Sequence, residues 1–386
     1  MKILLLNWKD QHHPLAGGAE DYTFNIMRRL VSKGHQVQWF SSLYPKAARS
    51  TIEEGIAYIR DGTYRTVQGR SKKFLKSLSP SDKPDVIIDE VNTRPFNPSR
   101  FLESKIPTVN LIHQLAREVW FQEVPFPLAL VGRYVLEDHW LKQIRDHYTI
   151  TVSKSTESDL RQLGFNRVQI VYNALPDNNN SKVGPKETPI HFVYLGRLSK
   201  GKRPRDCLEA FRKVRLTVDC SMTVIGTGPL LDDLRRKYTD ITFLGHVSEV
   251  EKHEVLSRAS ILLAAGTREG WNRSVLEAQS HGVIPIVQDV PGLRDAVDNG
   301  KAGIVVPTRS SSAMSKAAES LILNPTIMHH LSESSIRWSR QFTYSKSTLE
   351  FESILKQQIS PRQPGFNRGN LNVRFDDSAK VKPPFI

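Results

Sequence analysis

The sequence predicts an α/β protein made of two doubly wound, Rossmann-like domains that face each other, followed by a C-terminal helical segment. Three observations predict this fold. Strand-like and helix-like segments alternate along the chain, which is typical of parallel sheets with helices on both faces. The 386 residues exceed what one compact core usually supports. A polar stretch rich in turn-forming residues, 176–189, interrupts the alternation and is typical of an interdomain linker.

The first domain is predicted over residues 1–175. Residues 2–8 form a buried strand, and the next helix opens at paired glycines and ends at Gly34. Ser153 is the expected N-cap of a later helix, because a side-chain oxygen at that position accepts a backbone N–H of the first turn. Further strands of this domain are predicted at residues 37–40, 85–89, 108–113 and 148–152.

A second series of strands and helices is predicted over residues 190–341. Its strands are expected at residues 190–195, 222–225, 241–244, 261–264, 284–287 and 304–306. Residues 342–358 are expected to form a helix that packs back on the first domain. We expect disorder at residues 359–386, where Pro, Gly, Asn and Arg are frequent.

The composition predicts a folded globular protein, since 39% of the residues are hydrophobic and 24% are charged. Cys207 and Cys220 have neither the spacing of a disulfide framework nor that of a zinc site. The first residues lack the features of a secretory signal, and no apolar stretch reaches the ~18 residues that would span a bilayer. We therefore expect a cytoplasmic protein.

The net charge of +14 predicts an anionic partner, which could be nucleic acid, an acidic membrane or a phosphorylated substrate. No recognisable nucleic-acid-binding module contains the basic residues, so a nucleic-acid partner is not expected. Residues 65–78 mix basic side chains with Phe74, Leu75 and Leu78, a pattern that lets a helix lie on an anionic membrane. Peripheral attachment at the inner membrane face is one hypothesis for this segment, and a solvated helix is the other.

Two loops that follow predicted strands carry glycines or cations suited to phosphate. Gly17 and Gly18 open a helix, where glycine allows close approach and the first backbone N–H groups attract anions. A tight turn without a ligand is the alternative there. Arg197 and Lys202 follow the first strand of the second domain and could hold a diphosphate, Arg by forked hydrogen bonds and Lys as a point charge. A solvated basic loop is the alternative for this pair.

Two further loops of the second domain have the same placement after a strand. Gly226 and Gly228 precede a helix, although such turns are common in α/β proteins. Glu269 lies in a loop, and Glu277 is predicted about two turns into a helix that starts near Arg273. These carboxylates can accept sugar and ribose hydroxyls, while the first amides of the helix can hold phosphates. Taken alone, Glu277 could equally be a solvated helix residue.

The ordered set of GGAE, GR-x4-K, G-x-G-P and EGWNRSVLEAQSHGVIPIV resembles the retaining glycosyltransferases of family GT4, whose GT-B fold has two facing Rossmann-like domains. The resemblance runs from residue 1 to about residue 357, and its second half is the more specific. It implies a hexosyltransferase that uses a UDP- or GDP-linked sugar and a glycan, lipid-linked or small-molecule acceptor. It also implies a place in the biosynthesis of cell-surface polysaccharide or glycolipid.

The resemblance further implies the role of each site residue. Arg197 and Lys202 would contact the donor diphosphate, Glu269 the hydroxyls of the transferred sugar, and Glu277 the ribose. His113, at the end of a first-domain strand, would lie near the reacting sugar; a histidine packed in a loop is the alternative. The remaining donor-binding positions are Gly17, Gly18, Gly226, Gly228, Gly270, Trp271, Asn272, Arg273 and Ser274. Asn272 and Arg273 replace residues that are small or apolar in many relatives, which makes the sugar preference harder to infer.

The expected chemistry is departure of a nucleoside diphosphate from an anomeric carbon, with the growing negative charge stabilised by Arg197, Lys202 and backbone amides. The chain has no D-x-D motif, so neither a cofactor nor an essential metal is expected. The resemblance implies retention of anomeric configuration by attack on the same face. A nicotinamide-dependent oxidoreductase would need a dinucleotide fingerprint, which the chain lacks. A non-transferase GT-B enzyme, such as a nucleotide-sugar epimerase or a phosphorylase, stays open.

Overall fold

The computed structural model describes residues 1–102, 106–177 and 183–359, and these residues form two α/β units. This architecture confirms the predicted fold class. The predicted linker lies partly, and the tail 359–386 almost wholly, outside the described residues.

The first unit contains an eight-stranded sheet in the order β3-β4-β2-β1-β5-β6-β7-β8. All neighbouring strands are parallel except β3 and β4, which form an antiparallel hairpin. The strands are β1 Lys2–Leu6, β2 Gln36–Ser41, β3 Ser50–Glu53, β4 Ile56–Arg60, β5 Val86–Glu90, β6 Thr108–Ile112, β7 Tyr148–Thr151 and β8 Val168–Ile170. The hairpin was not predicted from the sequence, although Glu54 and Gly55 at its tip both have positive φ, as a tight hairpin turn requires.

Helices cover both faces of this sheet. They are α1 Gly18–Ser32, α2 Val67–Ser77, α3 Trp120–Glu123, α4 Phe126–Val131, α5 Glu137–Lys142 and α6 Lys154–Gln162, and one π-helical segment, Gly132–Leu136, joins α4 to α5. The N-cap prediction is confirmed, since the Ser153 side chain accepts the N–H of Thr156. Tyr22, Ile26 and Leu30 of α1 are fully buried against the sheet, which stabilises the unit by about 1.5–3 kcal/mol for each large apolar side chain.

The apolar side chains of α2 face the protein. Val67 and Leu75 are buried in a cluster with β1, and Phe74 and Leu78 pack against that cluster. Val67 and Leu75 are therefore not available to enter a bilayer, while Phe74 and Leu78 are partly exposed, so membrane attachment through residues 65–78 stays a prediction. The basic side chains of the segment stay exposed: Arg65, Arg70, Lys72, Lys73 and Lys76.

The second unit contains a fully parallel six-stranded sheet in the order β11-β10-β9-β12-β13-β14. Near-continuous apolar runs form these strands, because helices bury both faces of the sheet. The strands are β9 Ile190–Leu195, β10 Cys220–Ile225, β11 Thr242–Gly245, β12 Ile261–Ala264, β13 Ile284–Gln288 and β14 Ile304–Val306. The helices are α7 Pro204–Val214, α8 Leu231–Lys237, α9 Glu249–Arg258, α10 Arg273–Ser280, α11 Leu293–Ala296, α12 Ser311–Ile322 and α13 Pro325–Ser339.

The last helix, α14 Tyr344–Ile359, returns to the first unit. Phe351, Ile354 and Leu355 lie in the same buried cluster as α1, and Glu352 pairs with Lys33 at 2.8 Å. None of the helices within the described ranges is both long and apolar enough to cross a membrane.

Candidate functional site

The predicted site residues lie at the carboxyl ends of parallel strands, in loops that meet between the two units. His113 follows β6, Arg197 and Lys202 follow β9, and Glu269 follows β12. The two sides touch at Gly270, where an added Cβ would overlap the backbone carbonyl of His113. The fold therefore brings the candidate catalytic residues of both units to one cleft, as open α/β sheets favour.

Glu269 is an enclosed carboxylate on the second-unit side of the cleft. Its side chain is 8% exposed, and the Lys202 ammonium lies 2.7 Å from its carboxylate. The pair neutralises a charge that would otherwise be costly to bury. Arg197, close by in the same loop as Lys202, is exposed and has no ion-pair partner within residues 1–102, 106–177 and 183–359. The Arg197 guanidinium is thus available to bind an anion.

The loop of Arg197 rests on the loop that follows β10. The N–H of Gly196 donates to Ile225 at 3.0 Å, and the N–H of Leu198 donates to Thr227 at 2.8 Å. A Cβ added at Gly226 would overlap the Gly196 carbonyl, and one added at Gly228 would approach the Leu198 carbonyl too closely. Both glycines have positive φ. The packing of the two loops accounts for these glycines without any ligand.

Glu277 lies one turn into α10 rather than the predicted two, since the helix begins at Arg273 as expected. Its carboxylate is 3.0 Å from Nε of Arg273 and 3.3 Å from Nζ of Lys252. Lys252 itself is 7% exposed. Burial alone would lower the pKa of this ammonium, but the carboxylates of Glu277 and Glu249 outweigh burial and raise it.

Lys252 is a site residue that sequence reasoning missed. It lies on α9, in a run of charged residues that resembles any solvated helix face. Only the packing of α9 beside α10 shows that this ammonium holds Glu277.

His113 is buried and partnered. Its Nε2 lies 3.1 Å from Oε1 of Glu90, at the end of β5, and its ring meets the Tyr22 ring edge-on at 5.4 Å between centroids. Burial raises the pKa of the Glu90 carboxyl, and the hydrogen bond with His113 opposes that rise. Glu90 was also missed, since one acidic residue at a strand end carries no distinctive pattern. Its hydrogen bond holds the imidazole of His113 in one orientation.

The paired glycines of the first unit form the start of α1, with Gly17 as N-cap. The N–H of Gly17 donates to the buried Glu20 carboxylate at 2.7 Å, so this amide already has an acceptor, and its contact with a phosphate stays a prediction. Lys9 balances Glu20 at 3.1 Å. A Cβ added at Gly18 would meet nothing within 4 Å. The helix N-terminus therefore faces open space, and its first amides have no intrahelical acceptor.

The segment between the two glutamates is fixed from several sides. Trp271 is 6% exposed and packs on Tyr172 and Phe342 at 5.2 and 5.1 Å between ring centroids. Its side chain is therefore a packing element, and a contact of this residue with the donor stays a prediction. The Asn272 side chain caps α10 by accepting the N–H of Val275, while Ser274 is half-buried in the first turn. The residues around Glu269 thus anchor the loop more than they shape a pocket.

Two arginines extend this anchoring across the cleft. Arg268 lies 2.9 Å from the Asp159 carboxylate and 3.1 Å from that of Glu118, both in the first unit. Arg273 pairs with Asp21 on α1 as well as with Glu277. The loop that bears Glu269 is consequently held against the first unit at both of its ends.

Comparison with known proteins gives matches along nearly the whole folded chain. Residues 16–178 match the family model described as Glycosyltransferase Family 4, and residues 177–338 match the model described as Glycosyl transferases group 1. The chain belongs to the glycosyltransferases of the GT4 type. This confirms the resemblance inferred from the motifs.

The relatives of this GT4-type glycosyltransferase include a glycogen synthase of Mycobacterium tuberculosis, 26% identical over 366 residues that cover 84% of this chain and 87% of that protein. An N-acetyl-alpha-D-glucosaminyl L-malate synthase of Bacillus anthracis is 24% identical over 48% of this chain and 53% of its own length. Among solved structures, a sucrose-phosphate synthase from Thermosynechococcus elongatus superposes with a TM-score of 0.74 at 16% identity, over 92% of this chain and 98% of that one.

A second solved structure, Anabaena HepE in complex with UDP and glucose, has a TM-score of 0.65 at 14% identity and covers 92% of this chain and 100% of its own. These likenesses establish the GT-B fold of the glycosyltransferase. Among the residues placed in the structure, no group of three or more His, Cys, Asp or Glu side chains is arranged to hold a metal ion.

Proposed function

We propose that this glycosyltransferase moves a hexose from a UDP- or GDP-linked donor to a glycan, lipid-linked or small-molecule acceptor, with retention of anomeric configuration. The observation that carries the proposal is the pair of cations after β9. Lys202 neutralises the enclosed Glu269, while Arg197 in the same loop stays exposed and unpaired within the described part of the chain. A diphosphate between them would supply the missing anion for Arg197 and compete with Glu269 for Lys202.

Donor binding then changes the partner of each charged group. As Lys202 turns toward the diphosphate, the Glu269 carboxylate becomes free to accept hydroxyl protons of the hexose. Glu277, held by Lys252 and Arg273, is placed to accept ribose hydroxyls. The N–H groups of the first turn of α10, at Arg273 and Ser274, have no intrahelical acceptor and can bind phosphate oxygens.

The first unit supplies the opposite wall. The open N-terminus of α1 at Gly18 would admit the phosphate or the sugar, and His113, oriented by Glu90, would hydrogen-bond to the hexose. Gly226 and Gly228 shape the loop beneath Arg197, and Gly270 brings Glu269 close to His113.

The proposed reaction breaks the bond between the anomeric carbon and the β-phosphate oxygen. Negative charge grows on the leaving diphosphate, where Arg197, Lys202 and the α10 amides stabilise it. The acceptor oxygen attacks on the same face, forms the new bond to the anomeric carbon, and gives its proton to the departing phosphate. These cations take the charge-stabilising role without a metal or a cofactor. Because Anabaena HepE, which shares the fold, was solved in complex with UDP and glucose, UDP is the first nucleotide to test.

Product analysis with purified protein tests this proposal. Supplied with UDP- or GDP-hexoses and a panel of acceptors, the enzyme should yield a glycoside of retained configuration, read by the anomeric proton coupling. Glu269→Gln should lower turnover at least about a hundredfold, because the carboxylate contacts the reacting sugar. Glu254→Gln, at an exposed glutamate of α9, is the matched control and should leave turnover unchanged.

Two results would contradict the proposal. An active Glu269→Gln enzyme would remove the assigned role of the carboxylate. Formation of epimer or sugar phosphate, with no glycoside from any acceptor, would instead identify an epimerase or a phosphorylase with the same fold.

A further inference from the structure

An unusual surface covers the segment that follows β6. Eight large apolar side chains within sixteen residues are exposed there, and Phe126, Leu128 and Tyr134 are each more than 60% exposed. The other members are Phe121, Leu130, Val131, Val135 and Leu136. We call these eight residues the apolar surface. A contiguous exposed patch of this kind is uncommon on a soluble monomer and marks a contact site.

The orientation of this segment is fixed by its inner side. Ala129 and Gly132 are buried, and a Cβ added at Gly132 would overlap the Trp120 ring. The buried Glu137 carboxylate accepts the backbone N–H of Ala116 at 2.7 Å and the indole N–H of Trp120 at 3.1 Å. Small residues therefore face the protein and large apolar ones face outward, the reverse of a surface helix that packs on its own core.

The segment that carries the apolar surface has few charged side chains. Residues 124–136 contain a single charged side chain, Arg133. Two acidic groups that flank the segment are paired with arginines, Asp138 with Arg117 at 2.6 Å and Glu118 with Arg268.

Three contacts lie between α5 and the exposed cations of α2. Arg94 lies over the Trp140 ring, Arg100 donates to Gln143 at 2.9 Å, and Lys72 lies over the Phe101 ring. We call Arg94, Arg100, Lys72, Lys73 and Lys76 the basic band. The band is thus connected to the apolar surface through α5, which directly follows Leu136.

We propose that the apolar surface and the basic band together dock the enzyme on an anionic bilayer. The apolar side chains enter the boundary between head groups and acyl chains, and the cations of the band contact anionic head groups. A second copy of this chain fits less well, because a two-fold contact through the apolar surface would bring two positive bands together. This proposal differs from the sequence-based hypothesis in its apolar residues, which now belong to the apolar surface instead of α2. The cations of α2 contact the membrane in both.

The docking surface lies at the rim of the cleft. The side chain of Gln122 donates to Thr267, two residues before Glu269, and Glu118 pairs with Arg268 in the same loop. A bilayer that covers the apolar surface would therefore lie beside the cleft opening, where an acceptor carried by a lipid could enter. Docking requires neither donor nor turnover, so it can be tested separately from the proposed reaction.

Vesicle co-sedimentation of the full chain tests the docking. Vesicles of phosphatidylcholine alone are compared with vesicles that also contain phosphatidylglycerol. Wild-type protein should bind the anionic vesicles about tenfold more tightly, and Phe126→Ser with Val135→Ser should lose about tenfold of that binding. Lys72→Gln with Lys73→Gln should remove most of the preference for anionic lipid. Far-UV circular dichroism and a melting temperature close to that of wild type show that each variant remains folded.

The matched control is Leu216→Ser with Leu323→Ser, two exposed leucines of the second unit, which should bind vesicles as wild type does. The proposal would be overturned if this control lost as much vesicle binding as Phe126→Ser with Val135→Ser. It would also be overturned if the wild-type protein sedimented equally with and without vesicles. Sedimentation velocity without lipid tests whether the apolar surface instead binds a second copy of the chain. If the wild-type protein is a dimer and Phe126→Ser with Val135→Ser makes it a monomer, the surface serves self-association and the membrane proposal is overturned.

Discussion

The two walls of the cleft both carry glycines, but the glycines meet different surroundings. On the second-unit wall, a Cβ at Gly226, Gly228 or Gly270 would run into a backbone carbonyl of the protein itself. On the first-unit wall, a Cβ at Gly18 would meet nothing within 4 Å, and one at Gly17 only the Glu20 carboxylate at 3.9 Å. Glycine is thus needed for close backbone packing on the second-unit wall, whereas on the first-unit wall it leaves open space.

A sequence motif does not show whether a glycine is needed for close packing or for ligand binding, but the surroundings of the glycine in the structure do. Where the protein fills the space around a glycine, its loss should appear first as lost stability. Where the space is open, folding does not require the glycine, and its loss should appear as lost binding. The second-unit wall is therefore a rigid, internally packed surface, whereas the first-unit wall is the one with room for a ligand.

The largest expected effect is that of Gly226→Ala. The residue has φ of 137°, which an L side chain adopts only with strain, and the new methyl group would overlap the Gly196 carbonyl. Strain and overpacking together should cost about 3 kcal/mol or more of unfolding free energy. Urea unfolding followed by circular dichroism measures this loss. A variant as stable as wild type would show that the two loops are not packed as described.

Gly18→Ala should give the opposite result. Alanine suits a helix better than glycine, so the unfolding free energy should stay the same or rise by up to about 1 kcal/mol. The methyl group would project into the open space at the start of α1 and should weaken donor binding about tenfold or more. Calorimetric titration with UDP and with the UDP-hexose measures the change. Unchanged affinity for both ligands would remove this wall from the donor site.

The fold could be predicted from the sequence because its signals are local. Alternating apolar runs, the cap at Ser153 and the glycines after strands each depend on a few neighbouring residues, and the structure confirms the two-unit α/β architecture they predict. The β3–β4 hairpin was missed because its strands are short and its turn is a single Glu54–Gly55 pair. The π-helical turn at Gly132–Leu136 has no sequence signal at all.

The site was only partly predictable, because its partners come from distant parts of the chain. The placement of Glu269 beside Lys202 depends on β9 and β12 lying side by side in the sheet, which the motif order alone does not give. No role could be predicted for Lys252 and Glu90 from the sequence, because each acts through a partner that is distant in the chain, Glu277 and His113 respectively. The packing of Trp271, two residues after Glu269, on Tyr172 and Phe342 could not be predicted for the same reason.

A smaller effect is expected where the two walls are joined by Arg268. This guanidinium is 9% exposed, and its partners Asp159 and Glu118 are 26% and 53% exposed. Because both carboxylates regain water when the arginine is removed, Arg268→Ala should cost about 1–2 kcal/mol of unfolding free energy rather than the full penalty of a buried charge. Turnover should fall about tenfold, since the loop that carries Glu269 loses one of its two anchors. Unfolding and steady-state kinetics on the same preparation measure both changes, and full activity would mean that the first unit does not hold this loop.

The smallest effect is expected at the other anchor. Arg273 and Asp21 are 29% and 42% exposed, so water and salt screen their pairing, and Arg273→Ala should cost less than about 1 kcal/mol of unfolding free energy. Glu277 keeps Lys252 as a partner and loses a competitor for the ribose hydroxyls. The KM for the donor should therefore change less than about tenfold, and raised salt should reduce the stability difference from wild type. A large loss of unfolding free energy that does not depend on salt would show that the first-unit wall depends on this ion pair. The contrast between a packed second-unit wall and an open first-unit wall would then be too simple.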